Sequence, residues 1–294
     1  AGGATGAVVH GAGLPRLLVV AEGDRKITAL DLVTGEVRWR YTGPRPAAYR
    51  MRRSGKLLLV TGGDSALFAL DAATGEVVWR VRDRSPFAHA FCLDRDSVYV
   101  TSGAPGGRHR LHHVDLWTGD LRWTASLDES PVSGQPALIA GQVVAVPVRD
   151  SSGTGVAAFR VEDGAPLWSH APGMLAPLVA WIALDDAFVA NVASGVLHCL
   201  EATTGATRYS HVFSGAADAD QPRRLEPVLR NGALFVPQHQ VSVLRPGDGE
   251  LIGAVPSDLI PDLLRVDEEC AVYLAEESGH LAAFSAAARL TLVR

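Results

Sequence analysis

The side chains able to do chemistry are scattered along this sequence. Cys92, Cys199 and Cys270 are odd in number and far apart, with no C-x-x-C pair, so neither a zinc site nor a redox dithiol is readable. They read as small buried apolar residues. That pattern fits a reducing compartment, and a cytoplasmic location is expected over a secreted one. His112 and His113 are adjacent, so on a strand they point to opposite faces and cannot share a metal ion. His198 holds the same repeat position as His112, two repeats further on. Asp218 and Asp220 stand in the longest loop, residues 211–224, without the third oxygen ligand or glycine of a calcium loop. Its length makes it a binding-loop candidate, and solvated loop is the plainer reading. No G-x-S-x-G, H-E-x-x-H, P-loop or dinucleotide fingerprint appears. No catalytic residue and no metal ligand is assigned.

Composition narrows the classes. The 294 residues carry 32 acidic and 27 basic side chains, a net charge of -5. A duplex-binding protein needs clustered excess cations to displace counterions, so no nucleic acid partner is expected. Lysine occurs only at Lys26 and Lys56, which reads as the arginine bias of a GC-rich genome. The most apolar stretch, Leu175 to Leu184, contains Pro177 and ends at Asp185, well short of about 20 residues, so no membrane insertion is expected. The first residues, AGGATGAVVHGAG, lack the basic and apolar regions of a signal peptide. The missing initiator Met reads as a processed chain or an excised domain.

A period organises everything else. Residues 27–39 (ITALDLVTGEVRW) recur at 67–79 (LFALDAATGEVVW) and at 111–123 (LHHVDLWTGDLRW). Weaker copies run over 156–168, 197–209, 241–253 and 281–293. The anchor falls at Gly35, Gly75, Gly119, Gly164, Gly205, Gly249 and Arg289, giving spacings of 40, 44, 45, 41, 44 and 40. Each copy reads as four short strands separated by Gly, Asp and Ser. In the second copy these are 49–53, 56–61, 67–71 and 76–81. Nearly continuous apolar strands call for sheets covered on both faces. The predicted fold is all-β, a seven-bladed β-propeller with four antiparallel strands per blade, forming one domain over 1–294. The blades are placed at 5–41, 47–81, 88–125, 134–169, 177–210, 225–254 and 261–294. The first strand, near Ala7 to His10, and the last, Arg289 to Val293, are each expected to complete their own blade, so that the ring closes without an exchanged strand. Glycine in the third turn supplies a positive φ. Small residues at Ala29, Ala69, Ala158 and Ala283 leave room for Trp39, Trp79, Trp123 and Trp168, which read as structural docking residues, with Tyr209 as a substitute.

The candidate ligand-binding positions follow from the repeat. Propellers bind ligands at the axial channel and upper face. Aligning the first strands on the apolar strands that follow places His10, Arg50, Phe91, Pro136, Ala180, Pro227 and Arg265 at equivalent positions. Arg265, His10 and Arg50 then form a basic sector suited to a small anionic ligand or an acidic protein segment. His89 and Arg84 extend it. Trp181, on a first strand, reads either as core or as a stacking platform. Ordinary surface arginines bonded to loop carbonyls are the plainer alternative.

The pattern at Ala29/Asp31/Thr34/Gly35/Trp39 and Ala69/Asp71/Thr74/Gly75/Trp79 resembles the tryptophan-docking motif of PQQ-like (quinoprotein-type) propellers. Three branches carry that motif: quinoprotein alcohol dehydrogenases, the outer-membrane assembly lipoprotein BamB, and C-terminal sensor propellers of actinobacterial Ser/Thr kinases. The enzyme branch implies a vicinal disulfide, a calcium site and a catalytic Asp, none of which can be placed here, so no PQQ cofactor is expected. BamB implies a lipid-bearing cysteine near the N-terminus, and none is present. The copies also depart from the motif: His113 replaces Ala, Arg160 and Arg245 replace Asp, and Gly253 replaces Trp. The expectation is a non-catalytic sensor or interaction domain. An enzyme with a site assembled at the channel mouth, or a protein scaffold, is the alternative.

Overall fold

The computed structural model describes residues 6–11, 14–22, 25–44, 49–62, 66–87, 91–104, 107–127, 134–150, 153–170, 178–192, 195–213, 225–238, 240–255, 257, 261–276 and 278–285. The strands are as follows. Gly6–Gly11 (β1), Leu14–Glu22 (β2), Lys26–Asp31 (β3) and Val37–Thr42 (β4) form the first sheet. Arg50–Ser54 (β5), Leu57–Gly62 (β6), Ala66–Asp71 (β7) and Val77–Arg82 (β8) form the second. Cys92–Asp94 (β9), Ser97–Ser102 (β10), Arg110–Asp115 (β11) and Leu121–Ser126 (β12) form the third. Ala137–Ile139 (β13), Val143–Asp150 (β14), Gly153–Arg160 (β15) and Pro166–His170 (β16) form the fourth. Leu178–Ala183 (β17), Ala187–Val192 (β18), Val196–Glu201 (β19) and Thr207–Val212 (β20) form the fifth. Val228–Arg230 (β21), Ala233–Pro237 (β22), Val241–Leu244 (β23) and Leu251–Ala254 (β24) form the sixth. The last sheet has three described strands, Leu263–Val266 (β25), Val272–Ala275 (β26) and Leu281–Phe284 (β27). Every pairing is antiparallel between chain neighbours. The fold is all-β, a seven-bladed β-propeller. β1 pairs with β2 in its own sheet. Arg289 to Val293 lies outside the described residues.

The chain divides into two compact units. One comprises Ala1–Pro136 with Asp163–Ala165, the other Ala137–Glu162 with Pro166–Arg294. In the first unit, Leu17, Val19, Ile27 and Ala29 pack with Leu58, Val60 and Phe68 of the next sheet. Leu57, Leu59, Leu67 and Ala69 pack in turn with Phe91, Val98 and Val100. In the second unit, Ala145, Val156 and Ala158 meet Phe188 and Ala190, and Val189 and Leu197 meet Leu234 and Val236. The second and fifth sheets are thereby covered on both faces, which is why their strands are apolar on both.

The turn between third and fourth strands explains the motif. The Asp31 carboxylate accepts the Val33 and Thr34 amides at 2.8 and 3.0 Å, and the Thr34 hydroxyl accepts the Glu36 amide at 3.2 Å. Asp71 and Asp115 repeat the arrangement. Two copies with Arg in place of Asp carry Asp in place of Thr. There Asp163 accepts the Ala165 amide and Asp248 the Glu250 amide, both at 3.0 Å. In these copies Asp makes the bond that the Thr34 hydroxyl makes in the first, to the amide two residues on.

The glycine of this turn has two duties. Its φ is positive, from +70° to +79° in all six copies. A Cβ at Gly75 would also lie 2.5 Å from the Trp39 ring, at Gly164 2.6 Å from Trp123, and at Gly205 2.5 Å from Trp168. Gly35 is different, because nothing comes within 4 Å of its Cβ position among the described residues. Gly35→Ala is therefore expected to cost only the left-handed strain, about 1–2 kcal/mol. Gly75→Ala is expected to cost about 1–3 kcal/mol more, from overlap with the indole. Urea denaturation of the two variants side by side checks this; equal losses would contradict it.

Candidate functional site

In five sheets a single rung relates the docking aromatic to the first strand, and the same rung can be followed in the other two. Trp79 faces Ala69, Ala69 faces Leu59, and Leu59 faces Arg52. The same path runs Trp39–Ala29–Val19–Ala7 in the first sheet and Trp123–His113–Tyr99–Cys92 in the third. It ends at Ala137, Ile182, Val228 and Arg265 in the remaining four. Directly opposed residues leave a sheet on the same face. The first strands are the inner edges: β1 lies beside β5 in the first unit, and in the second β13 lies beside β17 and β21 beside β25.

These ladders correct the expected equivalence of the first-strand candidates. Arg265 is on the rung of Arg52, not of Arg50. Phe91, Pro136, Trp181 and Pro227 stand one residue before that rung, and Arg50 and Ala180 two before. His10 is three residues after it, at the irregular end of β1. The first strands are short and follow loops of different length. The apolar strand beside them therefore does not set their register, which only the hydrogen bonds specify.

The candidates end up in different surroundings. Arg50 is exposed on β5 and Arg265 exposed on β25, where its guanidinium donates to the carbonyl of Leu264 at 2.9 Å. Trp181 is half-buried and packs on the cluster around Ala137, Ile139 and Phe188. Its buried Nε1 has no acceptor among the described residues. His89 lies outside the described residues, as do residues 214–224 of the long loop. The docking tryptophans each reach the next sheet: Nε1 donates to Ala72 O from Trp39 (3.3 Å), to Leu116 O from Trp79 (3.0 Å) and to Ala202 O from Trp168 (2.8 Å). Tyr209 does the same through its hydroxyl to Pro246 O at 3.1 Å. Trp123 sits over Gly164 and faces His113 where Trp39 and Trp79 face alanine; like Trp168 it is only partly buried.

One polar cluster has no signature in the sequence. Ser102 Oγ donates to Asp83 Oδ2 at 2.5 Å and lies 2.7 Å from His112 Nε2. His112 Nδ1 is 3.1 Å from Thr124 Oγ1, and Arg110 holds the other Asp83 oxygen at 2.9 Å. Since the serine hydroxyl gives its proton to Asp83, His112 Nε2–H donates to Ser102 and Nδ1 accepts from Thr124. In a nucleophilic triad the carboxylate orients the imidazole from the nitrogen opposite the nucleophile. Here Asp83 sits on the serine side, and Ser102 is only 1% exposed. The arrangement ties the loop after β8 to the third sheet and offers no attacking oxygen. Burial pushes the His112 pKa down to about 4 against the pull of Asp83. His113, on the opposite face, bonds Ser97 at 2.8 Å and stacks on Tyr99; burial and then Arg122 lower it to about 4 as well.

The donor set implied by the quinoprotein resemblance is not assembled among the described residues. None of the three cysteines is in a disulfide: Cys92 is in β9, Cys199 is buried in β19 and Cys270 is in the turn before β26. No three His, Cys, Asp or Glu side chains converge there as metal ligands. No step is routed through a quinone or a calcium ion. No helix among the described residues is long and apolar enough to cross a membrane.

Known proteins place this geometry. The chain matches the family of the outer membrane protein assembly factor BamB over residues 3–154 and again over 152–287. No curated protein sequence matches it. Among solved structures it is similar to BamB from Moraxella catarrhalis, at 18% identity and TM-score 0.64, covering 92% of this chain and 81% of that one. It is similar to a europium-containing methanol dehydrogenase at 13% identity and TM-score 0.67, covering 96% and 77%. The quinohemoprotein alcohol dehydrogenase of Comamonas testosteroni shows 15% identity and TM-score 0.64, covering 93% and 65%. The expected cytoplasmic location is corrected by these matches, because the family is that of an outer-membrane assembly factor. The cysteines that suggested it report packing, and a buried thiol such as Cys199 carries no address. Docked tryptophans, turn glycines seated beneath them and a match along nearly the whole length lead to one conclusion: the chain belongs to the PQQ-like β-propeller family of the assembly factor BamB, which is related to the quinoprotein dehydrogenases.

Proposed function

We propose that this chain is a non-catalytic recognition propeller, a single domain over 1–294 that serves as the sensor or interaction part of a larger signalling protein. It takes a small anionic ligand or an acidic protein segment at the inner edge and upper face, without a quinone cofactor. His10, Arg50, His89, Trp181 and Arg265 are the positions proposed to contact it. The observation that supports this reading is the exposed arginine on two first strands, Arg50 on β5 and Arg265 on β25, in a chain of net charge -5. A cation kept exposed at an inner edge attracts oxyanions.

The test is a thermal-shift screen of the purified chain against anionic metabolites, with pyrroloquinoline quinone plus calcium included. A ligand that binds only the folded state adds about 2.7 kcal/mol at a hundredfold excess over its dissociation constant. A saturable rise in Tm is expected, and it should be lost in Arg50→Ala or Arg265→Ala. No shift across the panel removes the small-ligand reading. The second reading, a protein-binding scaffold, is supported by the family, whose description is that of an assembly factor. It predicts a partner-dependent rather than a metabolite-dependent shift.

A further inference from the structure

The rung that begins at the docking aromatics ends on Ala7, Arg52, Cys92, Ala137, Ile182, Val228 and Arg265. Five of these are uncharged, and the two charged ones are both arginine. Within the first unit β1, which lies beside β5, has Ala7 on the corresponding rung, so that rung brings no carboxylate from β1 to Arg52. Arg52 is exposed, and among the described residues it makes no ion pair or side-chain hydrogen bond. Five other arginines of this unit are engaged. Arg38 bonds Asp31, Arg122 bonds Asp115, Arg110 bonds Asp83, Arg80 bonds the Tyr41 hydroxyl, and Arg53 donates to Gly55 O at 2.9 Å.

Arg50 precedes Arg52 by two residues, so both side chains leave the same face of β5, their Cα atoms roughly 7 Å apart. Met51 between them turns to the opposite face and packs on the core beneath the first sheet. That packing holds the strand and fixes the spacing of the two arginines. Two guanidinium forks at this distance, each on a long flexible stem, can converge on one oxyanion and bind it bidentately.

We propose that Arg52, with Arg50 beside it, is the anchor of an anion site on the inner edge of the second sheet, and that the site takes a small oxyanion bearing carboxylate or phosphate. This rests on the recognition reading above and moves its centre to Arg52.

The experiment is arginine labelling of the full chain with phenylglyoxal, with adducts located by peptide mass spectrometry. Separate arms contain inorganic pyrophosphate and tricarballylate. Labelling of Arg52 and Arg50 is expected to fall at least fivefold in one arm, while exposed Arg40 on β4 is unchanged. Protection by pyrophosphate alone makes the ligand class phosphate; protection by tricarballylate alone makes it carboxylate. Arg52→Ala should abolish the protection of Arg50, and Arg52→Lys should retain part of it. Unchanged labelling of Arg52 in both arms overturns the proposal. Protection confined to Arg265 overturns it too, yet leaves anion recognition by the chain standing.

Discussion

Replacing Trp79 by alanine is expected to lower the unfolding free energy by about 3–5 kcal/mol, the usual cost of removing a buried tryptophan. The indole is 8% exposed, packs with Leu57, Leu59 and Phe87, and donates to Leu116 O across the sheets. Its ring also covers Gly119, whose Cβ position lies 2.8 Å from two ring carbons. That contact makes the two sites interdependent. Gly119→Ala alone suffers both ring overlap and left-handed strain at φ +79°. In the Trp79→Ala background only the strain is left, about 1–2 kcal/mol. A double-mutant cycle by urea denaturation should therefore give a coupling energy of at least about 1 kcal/mol. Additive losses would mean that the indole is not seated over the turn.

Acid should destabilise the third sheet at a pH well above that at which Asp115 titrates. His112 and His113 are buried and neutral, each with a pKa of about 4. In the unfolded chain both titrate near 6.5. Between those values the unfolded state binds protons that the folded state refuses, so stability falls as pH falls from about 6.5 to about 4. One pKa unit corresponds to about 1.4 kcal/mol, which puts the loss at roughly 3 kcal/mol per histidine. The groups around them do not rescue the fold in this window. Against its burial, Asp83 is held below the usual carboxylate value by its hydrogen bonds, the first from Ser102, and Asp115 is held down to about 2, chiefly by its hydrogen bond from Arg122, so their contribution disappears only below 3.8. His113→Ala restores the residue found at Ala29 and Ala69 and should remove roughly half of the acid slope. Urea midpoints measured from pH 7.5 to 4.5 decide the matter. A flat midpoint across that range, or an unchanged slope in His113→Ala, would sink it.

The comparison of sequence with structure turns on a few residues. The number of sheets, the four-strand unit and the paired small and large residues, Ala69 with Trp79, were all legible. They repeat, and each depends on contacts within a dozen residues. In the second sheet the expected strand 49–53 is found at Arg50–Ser54 and the expected 56–61 at Leu57–Gly62. The glycine of the turn was legible only in part. Its positive φ is a local property, but the indole lying over Gly75 comes from Trp39 in the preceding sheet.

The register of the first strands was read less well. Arg265 and Arg50 stood out by charge, yet they stand on different rungs. A first strand of three to six residues gives no periodicity long enough to place itself against its neighbour. The same limit hid the cluster of Asp83, Ser102, His112 and Thr124, whose bonded members are 10 to 19 residues apart and meet only when β11 pairs with β10 and the loop after β8 folds onto them. The sequence by itself determined the blade, because hairpin turns and alternating contacts are local and recur seven times. Only the tertiary structure decided which arginine stands on which rung, because register is set by hydrogen bonds between strands and not by the residues of either one.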